Sequence, residues 1–134
     1  TTTGATLPTL EDILCGEKVL KFQNLVRRVP VAEHIYHFAV DLVRRTRPDS
    51  DDAPDWIAPY VGWGAGPRAV QYLILGARAR AALNGSYMVR QEDIIAVAEP
   101  VLRHRVIKTF TAESEGITCR SIIARLVKEL SSEI

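Results

Sequence analysis

The sequence lacks the features that mark membrane-spanning and disulfide-rich proteins. None of its apolar runs approaches the roughly 18 residues that cross a bilayer, so no membrane span is predicted. It contains two cysteines, Cys15 and Cys119, which lie far apart and outside any Cys-x-x-Cys pair. We therefore expect reduced thiols and a cytoplasmic protein.

The sequence also carries almost no net charge. A formal net charge of +1 in 134 residues is not the electrostatic footprint of a nucleic-acid-binding domain. The arginines at 44–47 and 78–80 nevertheless leave a helical DNA-binding domain as an alternative.

A nucleotide-binding loop is also absent from the sequence. The Gly-Glu-Lys run at 16–18 lacks the loop and the hydroxyl of a P-loop. We therefore expect that this chain alone does not hydrolyse ATP.

Methionine is scarce as well, because Met88 is the only one. The chain opens on the run Thr-Thr-Thr-Gly-Ala-Thr at 1–6, whose composition is typical of a linker. We expect residues 1–15 to be a linker and the chain to be cut from a longer protein.

Apolar residues recur every three or four positions along most of the chain, a spacing that predicts helices. The predicted helices cover residues 16–29, 31–47, 67–84 and about 90–98, and a last one begins after Thr118. Pro100 is expected to break or restart the fourth helix. Val106 to Phe110 is the segment that also fits an extended strand. The predicted fold class is all-α, a small helical bundle with one short extended segment and helix 67–84 at its centre.

Aromatic residues cluster between Trp56 and Trp63, with Tyr60 between them. We expect this aromatic turn to pack onto the bundle. In that position it would brace the glycine-rich segment that follows.

Two groups of side chains suggest metal ions, and neither has the spacing that a site needs. His34 and His37 lie three residues apart, but the position of a third ligand is not determined. Glu33 and Asp41 are spaced to pair with His37 on a solvated helix face. The acidic loop at 49–59 lacks the glycine and the glutamate of an EF-hand. We therefore expect no metal site.

The run Gly-Ala-Gly-Pro-Arg-Ala at 64–69 carries the strongest functional signal. Proline at the first helical position loses no useful N–H group, so Gly66-Pro67 predicts the start of a helix. Arg68 then lies in the first turn, where the helix dipole disfavours a cation by about 0.3–1 kcal/mol. Free N–H groups at that end form an anion site, and an arginine fits there if the ligand is a phosphate. An arginine folded back over the surface is the alternative.

Four segments, in order and with matching spacing between about residues 10 and 110, resemble the C-terminal helical lid of MoxR-type AAA+ ATPases. The strings are Leu-Val-Arg-Arg-Val-Pro-Val-Ala-Glu-His at 25–34, Ala-Val-Asp-Leu-Val-Arg at 39–44, Tyr-Val-Gly-Trp-Gly-Ala-Gly-Pro-Arg-Ala at 60–69, and Glu-Asp-Ile at 92–94 with Pro-Val-Leu-Arg-His-Arg at 100–105. Together they identify the chain as similar to this family.

The resemblance implies a helical lid at residues 16–110, with the linker at 1–15 leading from an AAA+ core and a helical extension at 111–134. It also implies that Arg68 is the sensor-2 arginine, which reaches the γ-phosphate of ATP bound with Mg²⁺ to that core. Gly66, Arg68 and Ala69 would frame the contact through backbone N–H groups.

The chain departs from the family pattern in two places. Gly66 stands where the family usually has serine, so a side-chain cap is absent. Arg90-Gln91 stands where the family usually has Thr-Pro, which weakens the start of the fourth helix rather than the site.

The family forms rings and acts in chaperone-like remodelling, often with proteins that carry von Willebrand A domains. The implied partners are therefore the chain's own AAA+ core, neighbouring subunits of a ring and a von Willebrand A domain protein, with neither membrane nor nucleic acid. A stand-alone helical interaction module, in which Arg68 is a surface residue, is an alternative alongside the DNA-binding domain.

Overall fold

A computed structural model describes residues 11–133, which form seven helices and a two-stranded sheet. The elements are α1 (Gly16–Arg28), α2 (Glu33–Arg45), α3 (Ile57–Tyr60), β1 (Val61–Trp63), α4 (Arg68–Leu83), α5 (Gln91–Leu102), β2 (Ile107–Lys108), α6 (Phe110–Ser114) and α7 (Cys119–Ser132). The predicted all-α fold class is confirmed. In residues 11–133, no helix combines the length and the apolarity needed to cross a membrane.

Helix α4 lies at the centre of the bundle, as its apolar composition predicts. It contacts α1, α2 and α5. Leu73, Ala77 and Ala81 on its inner face are completely buried. Gly76 faces Val97 of α5, and a Cβ atom added there would lie 3.5 Å from the Val97 side chain, an ordinary packing distance.

Both ends of α4 have the conformations that their residues predict. Pro67 has φ −57° and ψ −28°, which is helical geometry at the start of the helix. Gly85 has φ +67°, and the Ser86 N–H donates to the Ala81 carbonyl oxygen at 2.8 Å. This closes the C-terminal end by a left-handed glycine.

Helix α5 continues through Pro100, so the predicted break there is wrong. Proline removes the hydrogen bond to the carbonyl oxygen four residues earlier, which belongs to Ala96. Both residues are exposed, so the helix can continue where solvent is available to a carbonyl group that lacks its N–H partner. Ile94, Ala98 and Leu102 are buried and hold the helix on the core.

The extended segment expected near Val106 is present as β2, which pairs antiparallel with β1. Val61 lies opposite Lys108, whereas Trp63 lies opposite Ile107, so β1 has a bulge. Without a bulge, Trp63 would share the buried face of Val61. Trp63 is instead 71% exposed, which corrects the prediction that the whole aromatic turn packs inward.

Helix α7 begins at the predicted cap, where Thr118 Oγ1 accepts the Ser121 N–H at 3.1 Å. Its stripe of Ile122, Leu126 and Leu130 is buried in the same core as α2 and α5. Helices before and after residue 110 therefore share one core, and the predicted division of the chain at that residue stays a prediction.

The N-terminal part differs from the rest, because no residue of α1 is buried. Residues 11–15 ahead of it are also exposed. The other residues of the predicted linker, 1–10, lie outside the described residues.

Candidate functional site

The start of α4 presents one exposed cation. Gly66, Pro67 and Arg68 are exposed, whereas Ala69 is completely buried. Among residues 11–133, the Arg68 side chain has neither an ion-pair partner nor a hydrogen-bond partner. The guanidinium group therefore projects from the positive end of the helix dipole without a compensating acid in the described part of the chain.

The backbone N–H groups of this turn differ in their availability. The Ala69 N–H donates to the Gly66 carbonyl oxygen at 2.9 Å, and the Val70 N–H donates to the Pro67 carbonyl oxygen at 3.1 Å. These bonds span three residues and tighten the first turn. Ala69 is thus a poor candidate for the predicted phosphate contact, because its N–H is already bound. Gly66 and Arg68 have no backbone acceptor for their N–H groups within residues 11–133.

The end of α2 fixes the segment that leads into α4. The Ala65 N–H donates to Thr46 Oγ1 at 2.9 Å, and Arg47 Nε donates to the Ala65 carbonyl oxygen at 2.8 Å. The Thr46 hydroxyl in turn donates to the Val43 carbonyl oxygen at 2.7 Å. A Cβ atom added at Gly64 would lie 2.4 Å from the Thr46 carbonyl oxygen, so only glycine fits at this crossing.

The sequence did not predict the contacts of Thr46 and Arg47 with Ala65. Thr46 and Arg47 lie 19 and 18 residues before their partner Ala65, and local spacing does not predict contacts at that separation. Gly64 carries the one usable signal, since glycine in a turn often marks close approach of two backbone segments.

An open cleft of about 510 Å³ lies along this segment. Its walls are residues 47–49, which follow α2, and residues 62–67 from β1 and the turn before α4. The exposed ring of Trp63 and the carboxylate-bearing residue Asp49 both line it, and Arg68 follows at its edge. Arg47 and Asp49 are the charged residues among those that line the cleft, so its lining carries one charge of each sign.

The residues weighed as metal ligands lie on a solvated face. His34 and His37 are both exposed on α2, and Glu33 lies 3.6 Å from His37 Nε2. No group of three histidine, cysteine, aspartate or glutamate side chains able to hold a metal occurs in the part of the chain that the structure describes. Cys15 and Cys119 are both free thiols.

Most arginines of the two basic clusters bind partners within the domain. Arg44 pairs with Asp52 at 2.5 Å, and Arg80 pairs with the buried Asp93 at 3.2 Å. Arg78 donates to the Tyr36 hydroxyl at 3.1 Å. These partners compete with phosphate contacts, so the clusters do not form the basic stripe that the DNA-binding alternative requires.

Charged contacts on the other side of α2 hold α7 and shift pKa values. Arg45 donates two hydrogen bonds to the Glu133 carboxylate, at 2.8 and 2.5 Å, which lower the pKa of Glu133 and raise that of Arg45. Glu129 accepts hydrogen bonds at 2.9 Å from Trp56 Nε1 and from Arg125 Nε. Burial raises the pKa of Glu129, but these hydrogen bonds and the Arg125 charge outweigh burial and lower it overall.

The comparisons with known proteins agree with this architecture. Residues 55–126 match the family model of the AAA lid domain. This stretch contains Arg68 and the segment 64–67 that precedes it. The chain belongs to the AAA lid domain family. Within that family it resembles the lid of MoxR-type ATPases.

Two curated proteins are similar to this lid domain over most of its length. The chaperone MoxR1 of Mycobacterium tuberculosis is 29% identical over 96% of the chain and 34% of its own length. The uncharacterized protein YeaC of Bacillus subtilis is 28% identical over 90% of the chain and 35% of its own length. The lid domain therefore spans about a third of these relatives.

A solved structure has the same fold. It is the crystal structure of a protein designated an ATPase, from Cytophaga hutchinsonii, with 34% identity and a TM-score of 0.79. The match covers 84% of the lid domain and 34% of that protein. The all-α lid architecture is therefore shared at the level of both sequence and backbone.

Proposed function

We propose that this lid domain serves a MoxR-like AAA+ ATPase and that Arg68 contacts the γ-phosphate of ATP held by the αβα core. The observation that carries this proposal is the Arg68 side chain, which is exposed at the positive end of α4 and unpaired within residues 11–133. A cation at that end of a helix is disfavoured unless an anion joins it. A phosphate oxygen is the anion that a neighbouring nucleotide-binding core would bring.

The groups at the start of α4 fit a phosphate and do not fit a metal ion. Arg68 offers a guanidinium group, and the Gly66 and Arg68 N–H groups lack backbone acceptors within residues 11–133. These are all donors, which suit phosphate oxygens. Within that range there is no cluster of metal-ligating side chains, so we assign the Mg²⁺ ligands to the core.

Arg68 would act by stabilising charge. Bound ATP supplies the phosphoryl group. In the transition state of its transfer, negative charge is spread over the three equatorial oxygens. A guanidinium group held in place before the reaction stabilises that charge without reorganising water. The same contact would couple the state of the nucleotide to the position of the lid.

The relatives suggest what the whole protein does. One of them is a chaperone, and the protein of known structure is designated an ATPase. We infer that the protein carrying this lid is a chaperone-like remodelling ATPase in the cytoplasm. Its partners in this proposal are its own core, neighbouring subunits of a ring and a von Willebrand A domain protein.

The test is the ATPase rate of the full-length protein with Arg68→Ala. Loss of a positioned cation lowers turnover by about 10- to 1000-fold. The melting temperature should not fall, because the Arg68 side chain has no hydrogen bond or ion pair within residues 11–133 and its charge is unfavourable at that end of the helix.

Arg103→Ala is the matched control. Arg103 is also exposed and has no side-chain partner among residues 11–133, but it lies beyond the far end of α5. Its substitution should leave turnover unchanged. Equal rates for wild type and Arg68→Ala would remove Arg68 from the mechanism.

A further inference from the structure

The Arg68 side chain has no hydrogen-bond or ion-pair partner within residues 11–133. The distance that its guanidinium group can cover is therefore measured from the position of the Arg68 backbone. The guanidinium group extends from the Arg68 Cα atom, which is held on one side by α4, where Ala69 is buried, and on the other by the segment between Gly64 and Pro67. Anything that fixes this segment also fixes the point from which Arg68 extends.

The end of α2 binds both polar groups of one peptide residue in that segment. Thr46 Oγ1 accepts the Ala65 N–H at 2.9 Å, and Arg47 Nε donates to the Ala65 carbonyl oxygen at 2.8 Å. Thr46 and Ala65 are both 0% exposed. The Thr46 hydroxyl is itself oriented by donating to the Val43 carbonyl oxygen, so its lone pair faces the Ala65 N–H.

The backbones also touch at this point. A Cβ atom at Gly64 would lie 2.4 Å from the Thr46 carbonyl oxygen and 2.7 Å from Arg47 Cα. At Gly66, two residues later, an added Cβ atom would meet nothing within 4 Å. The chain is thus held tightly up to Ala65 and is unpacked from Gly66 to Arg68.

We propose that Thr46 and Arg47 are positioning residues that hold the Arg68 backbone at the distance from which its guanidinium group reaches the nucleotide. This inference rests on the proposed function of Arg68. Thr46 supplies the orienting hydroxyl and Arg47 supplies the second hydrogen bond. Neither residue needs to touch the nucleotide for this role.

The experiment uses steady-state ATP hydrolysis by the full-length protein. Thr46→Val keeps the shape of the side chain and removes the hydroxyl, so the Ala65 N–H loses its acceptor. A displacement of about 1 Å at a catalytic group costs up to roughly 100-fold. We expect kcat to fall about 10-fold, with the KM for ATP within about twofold of wild type. Thr46→Ser, which keeps the hydroxyl, should restore kcat.

A double-mutant cycle separates positioning from a general loss of structure. If Thr46 acts through Arg68, Thr46→Val lowers kcat in the wild-type background and has no further effect in the Arg68→Ala background. Independent, multiplicative effects of the two substitutions would overturn the inference. All rates are compared at the same folded fraction, which circular dichroism measures.

A second variant covers the case in which Thr46→Val does not fold. Arg47→Met keeps the aliphatic stem and removes the Nε donor from a partly exposed position. We expect kcat to fall about 3- to 10-fold, again only when Arg68 is present. If both variants keep the wild-type kcat while Arg68→Ala lowers it, the positioning role is wrong and the proposed function stands. If Arg68→Ala itself has no effect, the proposed function fails.

Discussion

Three consecutive residues, the last of α2 and the two that follow it, hold two neighbouring segments in different ways. Arg45 holds α7 through an ion pair with Glu133, whose side chain is 53% exposed. Thr46 and Arg47, the next two residues, hold Ala65 through hydrogen bonds to its backbone, and both Thr46 and Ala65 are buried. One attachment is charged and partly exposed, since the Arg45 side chain is 18% and the Glu133 side chain 53% exposed, and the other is packed between two backbones.

The difference shows which attachment fixes a position. Solvent-exposed ion pairs contribute little to stability and are screened by salt. Helix α7 does not depend on its ion pair, because its apolar stripe also enters the core. The segment before α4 buries only one small side chain, Ala65, so its position depends on the hydrogen bonds and on the close approach at Gly64.

The largest expected effect comes from forcing the two backbones apart. Gly64→Ala places a methyl group 2.4 Å from the Thr46 carbonyl oxygen, and backbone atoms cannot move aside as a flexible side chain does. Overpacking costs typically 1–3 kcal/mol, and we expect about 3 kcal/mol of unfolding free energy to be lost. Urea denaturation of wild type and variant measures it. A loss below about 0.5 kcal/mol would mean that the crossing is not tight.

A smaller effect is expected from acid, at the two carboxylates of α7 and its C-cap whose pKa values are lowered. The pKa values of Glu133 and Glu129 lie below the ordinary 4.5, so their contacts stabilise the folded state above that pH. As the pH falls below 4.5 through these lowered values, protonation removes that stabilisation. We expect Tm to fall in this range in thermal unfolding experiments.

Glu133→Gln is the control for the charged attachment. At neutral pH the variant should have a modestly lower Tm than wild type, and the difference should shrink as the pH falls below 4.5, because protonated Glu133 resembles glutamine. The buried attachment contains no carboxyl group and should not respond to pH in this range. A Tm difference that stays constant with pH would show that the Arg45–Glu133 contact does not form in solution.

The smallest expected effect lies on the unpacked side of the segment. Gly66→Ser meets nothing within 4 Å and adds a hydroxyl at the start of α4, where no side-chain cap exists. Serine is better than glycine at this position by a few tenths of a kcal/mol, so stability should rise slightly. The same urea titration measures it, and a loss of 1 kcal/mol or more would mean that Gly66 is packed like Gly64.

Helix positions and caps could be predicted because they depend on residues close together in sequence. The apolar stripe of α4, the proline at its start and the Thr118 cap of α7 all follow local rules. The same rules placed Arg68 in the first turn of a helix. Its exposure and its lack of a partner depend on residues distant in the sequence and required the structure.

The predictions that failed also depend on information that local sequence does not contain. The Pro100 rule assumed that a lost hydrogen bond ends a helix, but Pro100 and Ala96 are both exposed, and α5 continues through Pro100. Alternation along β1 would place Trp63 inside, but the bulge turns it outward. The contacts between Thr46 and Ala65 join residues 19 positions apart, so no local pattern indicated them.

The central claim is that the Arg68 guanidinium group contacts a nucleotide bound to a neighbouring core. A crystal structure of the full-length protein with a non-hydrolysable ATP analogue tests it directly, through the distance between the Arg68 guanidinium nitrogens and the γ-phosphate oxygens. We predict a charge-assisted hydrogen bond of about 2.7–2.9 Å. A fully bound nucleotide with Arg68 turned away, or bonded to an acidic residue of its own lid, would contradict the account.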